Sequence, residues 1–450
     1  MIKIKNTFSE DKISEYEKML EDSFKKLRLK LKKEGKKQEN IPKKINNEKI
    51  VFLSYKDSMK QERKYEISAK TLFLESRENV FAVDGMQMYL DICRFQDYCT
   101  STMKEFLDKL CNGYPNEIKY NGVEYEFNDR DKVFINGRHV YGKEKAFSFV
   151  LNKIKEHDKE YYVFYQCDTI STFKAFKNCL KQMFEDSCKL LKITVAGKKD
   201  YFINYKLMND QMRHELLASL NIKTCPYCNR QYITNWKGND KKNKSTADLD
   251  HFYQKVKFPL FALSLFNFVP SCQICNSRMK GTKQLETLYP YTEWMDNAHF
   301  SLSPKSAREE IVDVWLGKKS YSELQKKYML CLEDDNDPTT ENYRLTRNSI
   351  NLFKLNELYE NHLDEAINIC MLIRIYFEGA YSKMQQSILE EIGIKSYNTE
   401  TTGIFSEEEL RNIMLGFVAD GQGELDKPLA KLKNDIYFNE IRLINNHKNK

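Results

Sequence analysis

Residues 224–281 read TCPYCNRQYITNWKGNDKKNKSTADLDHFYQKVKFPLFALSLFNFVPSCQICNSRMKG. Two Cys-x-x-Cys pairs stand near the ends of this stretch, Cys225/Cys228 and Cys272/Cys275. Between and directly after them are four polar residues suited to metal binding or acid–base chemistry, Asp250, His251, Asn267 and Asn276. This stretch therefore holds the residues that bear most directly on the fold and function of the chain.

The four cysteines have the spacing of a zinc site. Zinc takes four ligands in a tetrahedron, and two Cys-x-x-Cys pairs supply them from separate parts of a chain. The 43 residues between Cys228 and Cys272 exceed the roughly 15 to 20 of a plain zinc ribbon, so further structure is inserted between the pairs. The sequence predicts a structural zinc ion, and the alternative is four incidental buried thiols.

The inserted residues bring hard-metal and proton-transfer chemistry. The Asp250 carboxylate and the Asn276 amide oxygen suit Mg²⁺ or Mn²⁺, and His251 can accept a proton near neutral pH. Neighbours on an extended strand point to opposite faces, so a turn or bulge is needed to bring Asp250 and His251 to one site. A helix that begins at Asn276 would bring Arg278 and Lys280 within reach of a phosphate.

Composition indicates a folded chain with a polar surface. Its 450 residues are enough for about two to four structural units. No run approaches the ~20 apolar residues that a membrane span needs, and the first five residues lack the apolar core of a signal peptide. We therefore expect a cytoplasmic protein with no membrane partner, whose 12 cysteines are thiols or metal ligands.

The net charge of +7 is concentrated in one tract. Residues 25–44 hold ten Lys or Arg against Glu34 and Glu39, a local excess of +8. Such a tract attracts phosphates without sequence preference. The alternative is a solvated helix end that aids solubility, and for an isolated tract the two interpretations carry equal weight.

Four segments are predicted along the chain. They are a basic helix and linker (1–48), a mixed α/β region (49–205), the domain with both cysteine pairs (206–290) and a mainly helical region (291–450). Helices are predicted at 9–33, 86–110, 143–156, 172–191, 209–220 and 348–386. Asn-Gly between alternating apolar residues predicts hairpins at 118–127 and 132–141.

The order Cys-x-x-Cys, Asp-His, Asn, Cys-x-x-Cys-Asn resembles the HNH endonucleases. LDHFYQKVKFP at 249–259, ALSLFN at 262–267 and PSC at 270–272 resemble a bacterial branch of that family. The similarity extends over residues 209–440, although the specific motifs lie in its central part. It implies an α+β chain in which a ββα-metal nuclease core with structural zinc, at 206–290, is embedded between the mixed α/β and helical regions.

Residue roles follow from the resemblance. His251 would be the general base that activates water, Asp250 and Asn276 the ligands of one Mg²⁺ or Mn²⁺ ion, and Asn267 the residue that pins the loop carrying the histidine. The candidate substrate-binding residues are Arg278, Lys280 and Lys255. This chain has Asn276 where many members have His, and one residue more between Asn276 and Lys280 than the Cys-His-x-x-Lys form of the family.

The activity implied by the resemblance is hydrolysis of DNA phosphodiester bonds with one divalent ion. The implied setting is bacterial antiphage defence, where a nuclease of this branch works beside an ABC-type ATPase. Because this chain has no Walker A motif, that ATPase would be a separate subunit. Two alternatives remain, namely an HNH nuclease that cuts RNA and a non-catalytic zinc module that binds nucleic acid or protein.

Overall fold

A computed structural model describes residues 1–5, 7–36, 40–56, 61–95, 118–120, 123–127, 133–135, 138–141, 172–283, 285–305, 321–377, 407–416 and 425–448. Its α-helices are α1 (Glu10–Lys33), α2 (Ala69–Leu74), α3 (Arg77–Phe81), α4 (Met86–Phe95), α5 (Phe173–Leu191), α6 (Asp210–Leu220), α7 (Tyr321–Lys327), α8 (Glu341–Leu352), α9 (Leu355–Tyr359), α10 (Leu363–Phe377), α11 (Glu407–Leu415) and α12 (Ala430–Lys448). The strands are β1 (Lys49–Lys56), β2 (Glu62–Ser68), β3 (Ile118–Tyr120), β4 (Val123–Phe127), β5 (Val133–Ile135), β6 (Arg138–Tyr141), β7 (Lys192–Val195), β8 (Lys198–Tyr201), β9 (Asn235–Lys237), β10 (Asn243–Ser245), β11 (Asp248–His251), β12 (Phe268–Ser271), β13 (Ala298–Pro304) and β14 (Tyr328–Asp334). The predicted mixed α+β class is confirmed.

All sheets in the described ranges are small. Strands β3 to β6 form one four-stranded sheet, and the other strands pair two by two, as β1–β2, β7–β8, β9–β10, β11–β12 and β13–β14. A two-stranded sheet is marginally stable alone. Each of these pairs therefore depends on the helices and loops packed around it.

The residues form two compact units. Unit 1 comprises Met1–Thr7, Leu217–Asp248 and Pro270–Lys450, and unit 2 comprises Phe8–Leu216 and Leu249–Val269. The chain passes between the units four times, and two of these passages lie inside the stretch bounded by the cysteines. The units therefore follow a different division from the four predicted segments, because residues far apart in sequence pack together within each unit.

Helix α1 organises part of the unit 2 core. The Ser9 side chain caps its N-terminus, and Tyr16, Leu20 and Phe24, four residues apart in turn, are fully buried. The Phe24 ring centroid lies 5.7 Å from that of Phe73 on α2. The helix predicted at 9–33 is confirmed, and its buried stripe explains why it forms.

Local sequence signals also located several other elements. The predicted hairpins at 118–127 and 132–141 are confirmed, since β3 pairs antiparallel with β4 and β5 with β6. The helices predicted at 172–191 and 209–220 correspond to α5 and α6. Of the helix predicted at 86–110 only α4 falls within the described ranges, and the one predicted at 143–156 lies outside them.

Unit 1 is built largely from the C-terminal half of the chain. Strands β13 and β14 pair antiparallel over seven residues, and the ring of Tyr359 stacks on that of Phe300 with centroids 4.3 Å apart. Of the helical stretch predicted at 348–386, residues 348–377 are divided among α8, α9 and α10, and residues 378–386 lie outside the described ranges. None of the helices in the described ranges has the length and apolar character to cross a membrane.

Candidate metal and catalytic site

The first cysteine pair sits in a tight turn of unit 1. Cys225 N donates to Gln231 O at 3.0 Å, and Asn229 N donates to Cys225 O at 2.7 Å, so the chain folds back directly after the pair. Asn229 has a positive φ of 48°, a conformation that asparagine tolerates better than most residues. The turn places both thiols on its inner side, where they are buried.

The second pair stands at the start of a short π-helix, Ile274–Lys280, which follows β12. Cys275 N lies 3.5 Å from Cys272 Sγ, and Asn276 N donates to Cys272 O at 3.0 Å. A π turn holds one residue more than an α turn. The π-helix can therefore hold the one residue more that this chain has between Asn276 and Lys280 than the Cys-His-x-x-Lys form.

The four thiols form one buried cluster. Their Sγ atoms all lie within 4.8 Å of one another, and Cys228 Sγ is 4.0 Å from Cys272 Sγ. A tetrahedron with Zn–S bonds of about 2.3 Å has sulfur–sulfur edges of about 3.8 Å. The donor atoms and their spacing therefore fit a zinc ion.

Electrostatics explains why the thiolate form of this cluster would need a cation. Burial raises the pKa of the Cys225 thiol, whereas hydrogen bonds from Cys225 and the other thiols lower the pKa of Cys228. Four sulfurs this close cannot all become thiolates unless a positive charge offsets their repulsion. A bound Zn²⁺ ion would supply that charge.

Aromatic residues of unit 1 support the first cysteine pair. Tyr359 Oη donates to Cys228 O at 2.7 Å, and the Tyr227 ring stacks on Phe353 with centroids 4.5 Å apart. These contacts connect the cysteine pair to the C-terminal helices. The cluster is therefore part of the unit 1 core rather than a surface attachment.

Asp250 and His251 are the last two residues of β11 and both are buried. The chain bends at Phe252 and Tyr253, immediately after the strand. His251 thus stands at the point where the strand gives way to a loop. Within β11 no turn or bulge separates Asp250 from His251, so the device expected to bring both side chains to one site is not found in the doublet, and their convergence on one site stays a prediction.

The His251 ring is held by a backbone carbonyl and two aromatic rings of unit 2. Its Nε2 atom lies 3.0 Å from Ala262 O. Because a carbonyl oxygen only accepts, Nε2 carries the proton, and in the neutral ring Nδ1 then has the lone pair. Edge-to-face contacts with Tyr205 and Phe268, at centroid distances of 4.7 and 5.3 Å, fix the ring plane.

Asn267 connects both ends of the loop that follows His251. Its side chain accepts from Tyr253 N at 2.6 Å and donates to Tyr253 O and Phe261 O, each at 2.9 Å. Its own carbonyl accepts from Phe252 N at 2.8 Å. Asn267 therefore ties residues 252–261 together, and its part in catalysis stays a prediction.

Removing the Asn267 side chain should destabilise unit 2. Asn267→Ala leaves one buried and two half-buried backbone groups without these partners, and we expect a loss of about 2–4 kcal/mol in the free energy of unfolding. Urea denaturation followed by circular dichroism measures it. Asn47→Ala, at an exposed position of the same unit, should change it by less than about 0.5 kcal/mol. Equal effects of the two substitutions would contradict this role.

Asn276 is fixed by a carboxylate that the sequence interpretation did not select. Its Nδ2 atom donates to Asp248 Oδ2 at 2.9 Å, within unit 1. With the amide nitrogen used in this way, the amide oxygen is the atom suited to bind a metal ion. Asp248 lies two residues before Asp250 on the same strand, so these two residues share a face of β11.

The three predicted substrate-binding cations have different environments. Arg278 and Lys255 are exposed, and Lys255 Nζ lies 4.8 Å from the centroid of the Tyr205 ring. Lys280 is buried, with Nζ 6.0 Å from the centroid of the Tyr227 ring. Tyr205 was not selected from the sequence because no local pattern connects it with His251, 46 residues later.

A scan against protein-family models gives no match for this chain, and searches of curated proteins and of solved structures give none either. The resemblance to HNH nucleases therefore rests on the residue pattern between Cys225 and Asn276.

Proposed function

We propose that this protein is an HNH-class endonuclease that hydrolyses DNA phosphodiester bonds. The observation that carries the proposal is the hydrogen bond from His251 Nε2 to Ala262 O. It leaves Nδ1 of the neutral ring as the proton acceptor, which is the form that a general base requires. The order β11, β12 and π-helix Ile274–Lys280 supports a ββα-metal core.

His251 is proposed to take a proton from the attacking water. The Ala262 carbonyl then stabilises the imidazolium through the Nε2 proton, while Tyr205 and Phe268 keep the ring from rotating. Attack of the water oxygen on phosphorus would break the bond to the 3′ oxygen, which takes a proton from solvent, so the products would carry a 5′ phosphate and a 3′ hydroxyl. Because the chemistry takes place on the phosphate, this site itself reads little base sequence.

Asp250 and Asn276 are the proposed holders of the catalytic ion. A carboxylate and an amide oxygen are the donors that Mg²⁺ and Mn²⁺ prefer. The Asn276 amide nitrogen donates to Asp248, which leaves the amide oxygen as the atom that would bind the ion. When bound, the ion would supply Lewis-acid stabilisation of the charge that develops on the phosphate. Arg278 and Lys255 are exposed and are proposed to contact neighbouring phosphates.

Cleavage by the wild-type protein is the direct test. With Mg²⁺ or Mn²⁺ we expect nicking and cutting of plasmid DNA, and with no added divalent ion we expect none. The assay uses the purified chain, alone and with any co-purifying subunit, on duplex DNA, single-stranded DNA and RNA of one sequence. Absence of cleavage from zinc-loaded protein under all these conditions would contradict the proposal, and preferential cutting of RNA would favour the RNA-cleaving alternative.

By the same resemblance we propose a role in bacterial antiphage defence, in the cytoplasm, beside a separate ABC-type ATPase subunit. Such a subunit would restrain cutting of host DNA. If so, ATP should change the cleavage rate of the co-purified complex but not that of the isolated chain. Equal, unrestrained cleavage by both would count against the partner.

A further inference from the structure

A two-stranded ribbon, β9 and β10 with their connecting turn (residues 235–245), extends from the first cysteine pair in unit 1. Its base is held by Ile233 N donating to Lys223 O at 2.8 Å and by Thr246 N donating to Thr234 O at 2.9 Å. Thr234 N also donates to Thr246 Oγ1 at 2.8 Å. These bonds fix the base of the ribbon to the segments that flank the first cysteine pair.

The turn of the ribbon is stabilised by Asp240, the single acidic residue of the ribbon. Asp240 Oδ1 accepts from Lys242 N at 3.1 Å, and this bond lowers the pKa of the carboxyl. Its other oxygen lies 3.8 Å from Lys244 Nζ. With four lysines against one aspartate, the ribbon carries a net charge of +3.

Two exposed aromatic rings lie on the ribbon and on the segment that leads into it. Side chains alternate along a strand. Ile233 is buried at 1% exposure, whereas Tyr232 and Trp236 are 55% and 48% exposed. Lys244 is directly opposite Trp236 in the pairing and therefore shares its face. We call Tyr232, Trp236 and Lys244, with Lys242 in the adjoining turn, the aromatic-basic face.

This combination of groups matches the chemistry of an unpaired nucleic-acid strand. Exposed rings offer stacking surfaces to bases, and lysines neutralise phosphates. In a duplex the faces of the bases are covered by their neighbours, so two exposed rings would gain little from it. An acidic protein could pair with the lysines but would leave the rings unexplained. A membrane surface takes aromatic and basic groups together, but it also takes apolar side chains, and residues 235–245 contain none besides Trp236.

We propose that the aromatic-basic face binds single-stranded nucleic acid. Binding itself does not require the proposed nuclease activity. Only the inference that the bound strand is the substrate of cleavage rests on that proposed function. Trp236 lies on β9, and Tyr232 stands four residues earlier in the segment that leads into this strand; four residues of extended chain span about 13 Å. Two separate bases of one strand can therefore stack on the two rings.

The test measures binding without cleavage. His251→Ala protein, with no divalent ion added, is titrated into a fluorescein-labelled 20-nucleotide dT strand and followed by fluorescence anisotropy. The double variant His251→Ala/Trp236→Ala should bind roughly 5- to 150-fold more weakly, since stacking of one base is lost. Trp236→Phe should restore most of the affinity because it keeps a ring. Phe438→Ala, which removes an exposed ring on α12, should leave the affinity unchanged.

The charge contribution has its own readout. Lys242→Ala should reduce the slope of log affinity against log salt by about 0.7, whereas Lys326→Ala on α7 should not change it. Far-UV circular dichroism and zinc content should be unchanged in all variants. Unchanged affinity of Trp236→Ala, or a duplex bound more tightly than the single strand, would overturn the proposal. RNA and DNA strands of one sequence identify which nucleic acid is preferred.

This experiment separates the two hypotheses. If wild-type protein cuts no substrate but the single strand binds through Trp236, the nuclease proposal fails and the binding face stands. If wild-type protein cuts and Trp236→Ala binds normally, the binding face fails alone.

Discussion

His251→Ala should lower the rate of DNA cleavage by about 10²- to 10⁴-fold, the usual contribution of a general base. The substitution removes the Nδ1 lone pair that the hydrogen bond to Ala262 O directs toward proton transfer. Single-turnover cleavage of end-labelled DNA with saturating Mg²⁺ measures the chemical step itself. Binding of DNA should be retained, because the lost group acts on water.

The matched control for this variant is His299→Ala. His299 lies on β13 with its ring nitrogens 3.6 and 3.5 Å from Glu333 and Asp335, so the control removes an imidazole that lies outside the proposed site. It should cut at the wild-type rate. Equal zinc content and equal thermal melting of both variants would exclude unfolding as the cause. Undiminished cutting by His251→Ala would remove His251 from the mechanism.

Local sequence signals predicted the parts of the site that lie close together in the chain. Each Cys-x-x-Cys pair is a single turn, so its spacing alone indicates ligands that face one ion. Asn-Gly marks a tight turn without help from the rest of the molecule, and both predicted hairpins formed. The apolar stripe of α1 needs only a core to pack against.

Contacts between distant residues were not predictable in this way. The pairing of Asn276 with Asp248 spans 28 residues, and the contact of Tyr205 with His251 involves a 3₁₀ turn with no recognisable signal. Both depend on how the chain packs, which no local spacing encodes. The division into two units is a further case, since Leu249–Val269 belongs with residues 8–216 rather than with its sequence neighbours.

Cys272→Ser should abolish zinc binding and destabilise unit 1. Structural zinc contributes about 10–16 kcal/mol to the folding of small zinc modules. That is comparable to the whole stability of a domain, about 5–15 kcal/mol. Zinc per chain, measured by mass spectrometry of the metal, should fall from one to none, and the melting temperature should drop. Cys331→Ser, a thiol on β14 outside the cluster, should keep one zinc and melt normally.

Loss of zinc should also abolish cleavage, because Asn276 follows Cys275 in the same π-helix. Asn276→Ala separates the two effects. It removes the proposed ligand of the catalytic ion and the bond to Asp248 but none of the four sulfurs, so it should keep one zinc and still lose most cleavage. If Asn276→Ala cut normally while Cys272→Ser did not, zinc would support activity through folding alone. If wild-type protein carried no zinc, the four cysteines would be incidental buried thiols, and the proposed anchor of Asn276 would be lost with them.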